Sequence, residues 1–172
     1  MTVLALAALL AAPAFAAEPP ATVKVKVSWD YEGVPSGMTI RAQKAGDFEL
    51  WDTGTAATAA ATPAGDEFPA QVAKLKPGEA LRAVLVYHNK SAKTVRFFAA
   101  PHAATPSSAT LGFKFKCLCT NHVYEVPPGR FWYRVVELRL AREYEGRRLE
   151  IRHNLVAVTG PRAEAFMAEG GN

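Results

Sequence analysis

Val23-Lys24-Val25-Lys26-Val27-Ser28-Trp29 alternates apolar and polar side chains without a break. Side chains of a strand repeat every two residues, so Val23, Val25, Val27 and Trp29 share one face and Lys24, Lys26 and Ser28 the other. The same pattern recurs along the chain. Met38 to Ala42, Phe48 to Trp51, Val72 to Leu75, Ala80 to His88, Thr94 to Ala99, Thr110 to Cys119, Phe131 to Leu140 and Leu149 to Val158 all read as strands. In Ala80 to His88, Leu81, Ala83, Leu85 and Tyr87 fall on one side and Val84 and Val86 on the other. In Phe131 to Leu140, Trp132, Val136, Leu138 and Leu140 share a face that Arg134 interrupts. Turn residues stand at Gly33 to Gly37, Lys76 to Glu79, Pro127 to Gly129 and Glu145 to Arg147. Asn89 to Lys93 is expected to join Ala80 to His88 and Thr94 to Ala99 as a hairpin. Thr53 to Asp66, rich in Ala and Thr, and Pro101 to Ser108 are expected as loops, and Pro161 to Glu169 as a short helical turn. Short strands, Gly/Pro turns and the lack of a sustained helical period predict an all-β, immunoglobulin-like antiparallel β-sandwich. The Cys…Trp…Cys spacing of antibody domains is absent.

Ahead of the first strand, Glu18-Pro19-Pro20 is an extended linker, and Thr2 to Ala17 is wholly uncharged. That apolar run ends in Ala14-Phe15-Ala16-Ala17, an A-x-A cleavage pattern, so residues 1–16 are expected to be a signal peptide. As a helix the run covers roughly 24 Å against a hydrocarbon core of ~30 Å. Cleavage and export to the periplasm are expected; an uncleaved leader would tether the protein to the membrane. Residues 17–66 then supply N-terminal strands and the Ala/Thr-rich loop, 67–160 the sandwich core and 161–172 a tail. The chain of 172 residues is 49% hydrophobic and 21% charged, enough for a buried core without disulfides. Its formal charge of +4 is too mild to indicate nucleic acid. The late arginines, Arg130 to Arg152, are interleaved with glutamates and read as a solvated mixed-charge face; the functional alternative is docking on an acidic partner or an anionic membrane surface. No Walker loop, G-x-G-x-x-G, G-x-S-x-G or H-E-x-x-H is present, and no enzyme activity is expected.

The chemistry is concentrated in Lys114-Phe115-Lys116-Cys117-Leu118-Cys119-Thr120-Asn121-His122, which holds the chain's 2 cysteines. Strand parity puts Phe113, Phe115, Cys117 and Cys119 on one face and Lys114 and Lys116 on the other. A disulfide between i and i+2 closes a tiny loop and constrains little. Extended backbone also holds those Cα atoms about 6.5–7 Å apart, at the limit of a disulfide. Two thiolates side by side suit Cu(I), which needs only two or three soft donors, whereas zinc requires four ligands. The neighbouring lysines favour deprotonated sulfur. His122 stands where a third ligand could reach; His102 and His88 are weaker ligand candidates, and His153 reads as a core-edge residue. Against the metal reading stand core thiols without a ligand.

Phe115-Lys116-Cys117-Leu118-Cys119 followed by Val126-Pro127-Pro128-Gly129-Arg130 resembles the copper-site core of the CtaG family of cytochrome c oxidase assembly proteins. Val86-Tyr87-His88-Asn89-Lys90-Ser91 resembles that family's strand and Asn-Lys turn, and the likeness runs from about Leu81 to Val158. This chain departs from the pattern at Leu118, Thr120 and Asn121-His122, and has Arg130-Phe131-Trp132-Tyr133 after the turn. The resemblance implies an immunoglobulin-like fold and Cu(I) held by Cys117 and Cys119. It also implies a copper-linked homodimer and copper delivery to a recipient cuproprotein, the CuB centre of oxidase subunit I. A thiol-disulfide oxidoreductase using the same pair, and a non-catalytic β-sandwich interaction domain, are the other readings; no thioredoxin-like α/β pattern accompanies the cysteines.

Overall fold

The computed structural model describes residues 22–43, 56–62, 64–116 and 122–168. Its strands are β1 (Val23–Glu32), β2 (Met38–Ala42), β3 (Ala56–Ala59), β4 (Val72–Leu75), β5 (Ala80–His88), β6 (Val95–Ala99), β7 (Ala103–Thr105), β8 (Phe113–Lys116), β9 (Tyr124–Val126), β10 (Phe131–Leu140) and β11 (Arg148–Ala157). One helix, α1 (Pro161–Ala168), comes after them. The expected leader, residues 1–16, and the expected strand Phe48 to Trp51 lie outside the described residues. Among the described residues no helix is long and apolar enough to cross a membrane.

The strands form an all-β sandwich of two sheets. One runs β4-β1-β11-β6-β9 with β7 also on β11; the other runs β2-β5-β10-β3 with β8 also on β10. The alternation of β1 does what its sequence dictates: Val23, Val25 and Val27 are buried, while Lys24 and Lys26 face water. Between the sheets, Val27, Ile40, Leu85, Tyr87, Phe97, Trp132 and Leu155 build one end of the core. Val25, Leu75, Phe113, Leu138, Leu149 and Ile151 build the other.

Four expectations are corrected. The ladder between β1 and β11 is parallel, from Lys24 opposite Arg148 to Glu32 opposite Val156, so the sandwich is not wholly antiparallel. No turn joins these two strands, and only a short turn forces antiparallel pairing. Thr53 to Asp66 is not all loop, because Ala56–Ala59 pairs with Phe131 to Arg134. Its small side chains carry no apolar pattern of their own, yet Ala57 and Ala59 pack on a cluster of Val84, Val86, Tyr133 and Val135. Pro101 to Ser108 likewise contains β7, paired with Glu150 to Arg152. The strand expected from Thr110 to Cys119 starts only at Phe113, since Ser107–Leu111 form a 3-10 turn.

The expected hairpin of β5 and β6 does not form either. Both edges of β5 are taken, by β2 and β10, and β6 pairs with β11 and β9 in the other sheet. Asn89, fully buried, makes the crossing. Its Nδ2 donates to the carbonyls of Lys93 and Val126, both at 2.8 Å. Its Oδ1 accepts from the Ser91 amide at 3.0 Å and the Ser91 hydroxyl at 2.7 Å. The Asn89 amide donates to Arg130 O at 3.0 Å, and its carbonyl accepts from the Gly129 amide at 2.9 Å. Asn89 thus ties the crossing to β9 through its side chain and to the turn before β10 through its backbone.

Asn89→Ala strands the buried Val126 carbonyl and removes the bonds to Lys93 and Ser91, and should cost about 2–4 kcal/mol in urea unfolding, against about 1 kcal/mol or less for Ser91→Ala. Equal, small losses would show that the crossing is held by something else.

On the outer face of the first sheet, the Ser28 hydroxyl donates to Glu150 Oε1 at 2.7 Å, with Lys26 Nζ at 3.7 Å and Arg152 Nη2 at 3.6 Å. The Ser28 hydrogen bond, the largest effect, holds the Glu150 carboxyl below its ordinary 4.5; burial opposes it, and the Lys26 and Arg152 cations add to the lowering. A lowered carboxyl contributes stability that is complete above the ordinary value and fades as pH falls through the lowered one. Ser28→Ala should therefore move the Glu150 titration upward in carboxyl-carbon NMR; an unmoved titration would assign the shift to the cations alone.

Candidate metal centre

β8 lies antiparallel on β10, from Phe113 opposite Leu140 to Lys116 opposite Glu137. Phe113 is buried, Lys114 exposed and Phe115 half-buried, the alternation expected of this strand. Cys117 and Cys119, with Leu118, Thr120 and Asn121, lie outside the described residues. The description resumes at His122, ahead of β9. β8 belongs to the sheet of β5 and β10, and β9 to the sheet of β1 and β11, so residues 117–121 link the two sheets. On the β10 edge that β8 occupies, β3 already pairs Phe131 to Arg134, which leaves Val135 and Val136 between the two ladders among the described residues.

Phe115 packs on a group of rings that the sequence did not bring together. His153 is fully buried on β11, inside the sandwich rather than at its edge. Trp29, its partner in the parallel ladder, stacks on it at 5.2 Å and 19°. His102 arrives through a defect in the neighbouring strand. β6 ends with Ala99 opposite Leu155, and β7 resumes with Ala103 opposite Arg152. Three residues, Ala100, Pro101 and His102, thus face only His153 and Asn154. This is a β-bulge, which bends its strand and re-aims a side chain. Pro101 suits it, having no N–H to leave unpaired. The His102 ring consequently stands 5.4 Å from His153, 5.7 Å from Phe113 and 6.0 Å from Phe115, and Phe115 is 5.6 Å from His153. Trp29 Nε1 is buried there with no acceptor among the described residues. The only sequence signal for this pairing was Pro101 inside a β-rich stretch.

On the far side of residues 117–121, the His122 ring meets Tyr124 at 4.9 Å. Tyr124 packs on Trp132 at 4.8 Å and accepts a hydrogen bond from Arg134 Nη1 at 2.7 Å. Arg134 does interrupt the inner face of β10, as expected. Its guanidinium lies 5.9 Å from the Tyr124 ring centre, and its Nε is buried without a partner among the described residues. The result is a positive charge held between the sheets. His88 is elsewhere: it stacks on Phe131 at 4.0 Å and 12°, beside Val86 on the outer face of the sheet. Met38 is core packing. Among the described residues no three His, Cys, Asp or Glu converge as a metal site.

Tyr124→Phe removes the acceptor of Arg134 while keeping the ring, and should destabilise the fold by about 1–3 kcal/mol. Arg134→Met in the same background should recover most of that loss, because it removes the stranded charge; additive losses in thermal unfolding would show that the two residues are not coupled.

No curated protein and no solved structure matches this chain. A family model described as a domain of unknown function, DUF8709, matches residues 23–158, from the first residue of β1 to the residue after β11. That span takes in both sheets and the whole ring cluster, and the chain belongs to this DUF8709 family.

Proposed function

We propose that this is an exported copper-binding protein, which holds Cu(I) between the thiolates of Cys117 and Cys119 and carries it to a recipient cuproprotein. Cytochrome c oxidase, at its CuB centre, is the recipient that the CtaG-like residues favour. Copper is cargo in this reading, and no bond of a substrate is made or broken. The observation that carries it is the position of β8. The strand leading into the cysteines packs through Phe115 on His102 and His153, and the strand after them begins beside His122. Soft sulfur donors are thus flanked in the chain by nitrogen donors on both sides. Lys114, exposed opposite Arg139, contributes a positive potential that favours the thiolate over the thiol. Two thiolates satisfy Cu(I) and leave it open to an incoming sulfur, so the ion can pass to a recipient by ligand exchange. The same unsaturated coordination allows a copper-linked pairing of two protomers.

The test is Cu(I) titration of the reduced protein against a chromophoric chelator. The expected result is one tightly held, sulfur-coordinated Cu(I) per protomer, with affinity lowered by at least about a hundredfold in the Cys117→Ser/Cys119→Ser variant. Equal affinity of parent and variant would overturn the reading.

A further inference from the structure

The geometry points to a second copper site in this protein, made of the imidazoles of His102 and His153 and needing neither cysteine. Two observations carry it. The first is spacing. A ring centre stands about 3.2 Å from a metal that its nitrogen binds at about 2.0 Å. Two imidazoles whose centres are 5.4 Å apart would subtend about 115° at a shared ion that a nitrogen of each faced, between the trigonal and tetrahedral angles of metal–histidine sites. The rings are also turned 66° from each other, so they approach at a corner and are not stacked face to face. The second is that the fold builds this approach on purpose-shaped backbone. The bulge at Ala100, Pro101 and His102 adds one residue to the strand beside β11 and brings His102 to His153, while Trp29 fixes the plane of the His153 ring from the other side.

The surroundings select the ion. The walls are Phe113, Phe115 and Trp29. Glu150, the carboxylate on β11, is engaged by Ser28 on the outer face of the sheet. Asp30, opposite Asn154 in the ladder, lies on that outer face too, near Arg152 Nε at 3.9 Å. With two neutral ligands and apolar walls, a divalent ion would keep its full double charge in a poorly solvated place, and the desolvation cost rises steeply with charge. Cu(I) carries a single charge and accepts two donors, so it is the ion this pair takes. Imidazole is a harder donor than thiolate and holds Cu(I) less tightly, which makes this a weaker site beside the cysteines.

The experiment uses the full chain carrying Cys117→Ser and Cys119→Ser, with Cu(I) as the probe, so its outcome is independent of the thiolate reading. One Cu(I) per protomer should remain bound in competition with a weak chelator, with an X-ray absorption first shell of nitrogen at about 2.0 Å and no sulfur. His102→Phe on that background keeps the ring packing and should weaken binding at least tenfold at an unchanged thermal midpoint. No Cu(I) bound by the cysteine-free protein, or equal binding by the His102→Phe form, would overturn the proposal. Sulfur-coordinated copper in the parent reports the thiolate site separately, so either site can fail alone.

Discussion

A chain that leaves one sheet of a sandwich for the other must bury backbone polar groups at the crossing, and at the end of β5 the Asn89 side chain supplies their partners. Its amide has two N–H groups and an oxygen able to accept twice, and all four are used inside the protein. A shorter or apolar residue would leave the Val126 carbonyl short of a donor in a place water does not reach. The placing of the later strands depends on this crossing. It delivers β6 to β11 instead of back to β5, and only a strand lying on β11 can bulge beside His153. The histidine contact is thus a downstream consequence of a buried asparagine on the opposite sheet.

The parts of the fold legible in the sequence were those whose own side chains alternate. β1, β5 and β10 bury one or both faces with large residues, so their period of two is written in the chain. β3 was not legible, because Ala56 to Ala59 have too little side chain to show a face, and the strand exists through its pairing with Phe131 to Arg134. The parallel ladder of β1 and β11 and the placing of β6 were not legible for a different reason. Local pattern says that a segment is extended but not which edge is free to receive it, and β5 has no free edge. The same limit hid the contact of His102 with His153. His102 read as a loop residue and His153 as a core-edge residue. Their contact needs the bulge count, three residues against two, which appears only once both ladders on β11 are known.

Arg134 shows why an inward-pointing charge can be tolerated in this core. It lies on the inner face of β10 beside Trp132 and Val136, positions that elsewhere are filled by apolar side chains. Tyr124 serves it twice, through the hydroxyl that accepts from Nη1 and through the ring that lies near the guanidinium. Tyr124 in turn is wedged among Phe97 and Trp132, so the charge is carried by rigid packing and not by a mobile surface group. The remaining buried Nε makes the arrangement incomplete among the described residues.

The two ends of the cysteine segment therefore differ in electrostatic character. β8, ahead of it, packs on imidazoles and aromatic rings, and β9, after it, carries the Tyr124 that holds a guanidinium. A bare copper ion gains nothing near Arg134, since the two positive charges repel. Thiolates gain from it, because a nearby cation favours the ionised form of sulfur. Under the copper reading, two thiolates and one Cu(I) make a net negative unit, opposite in sign to the Arg134 guanidinium.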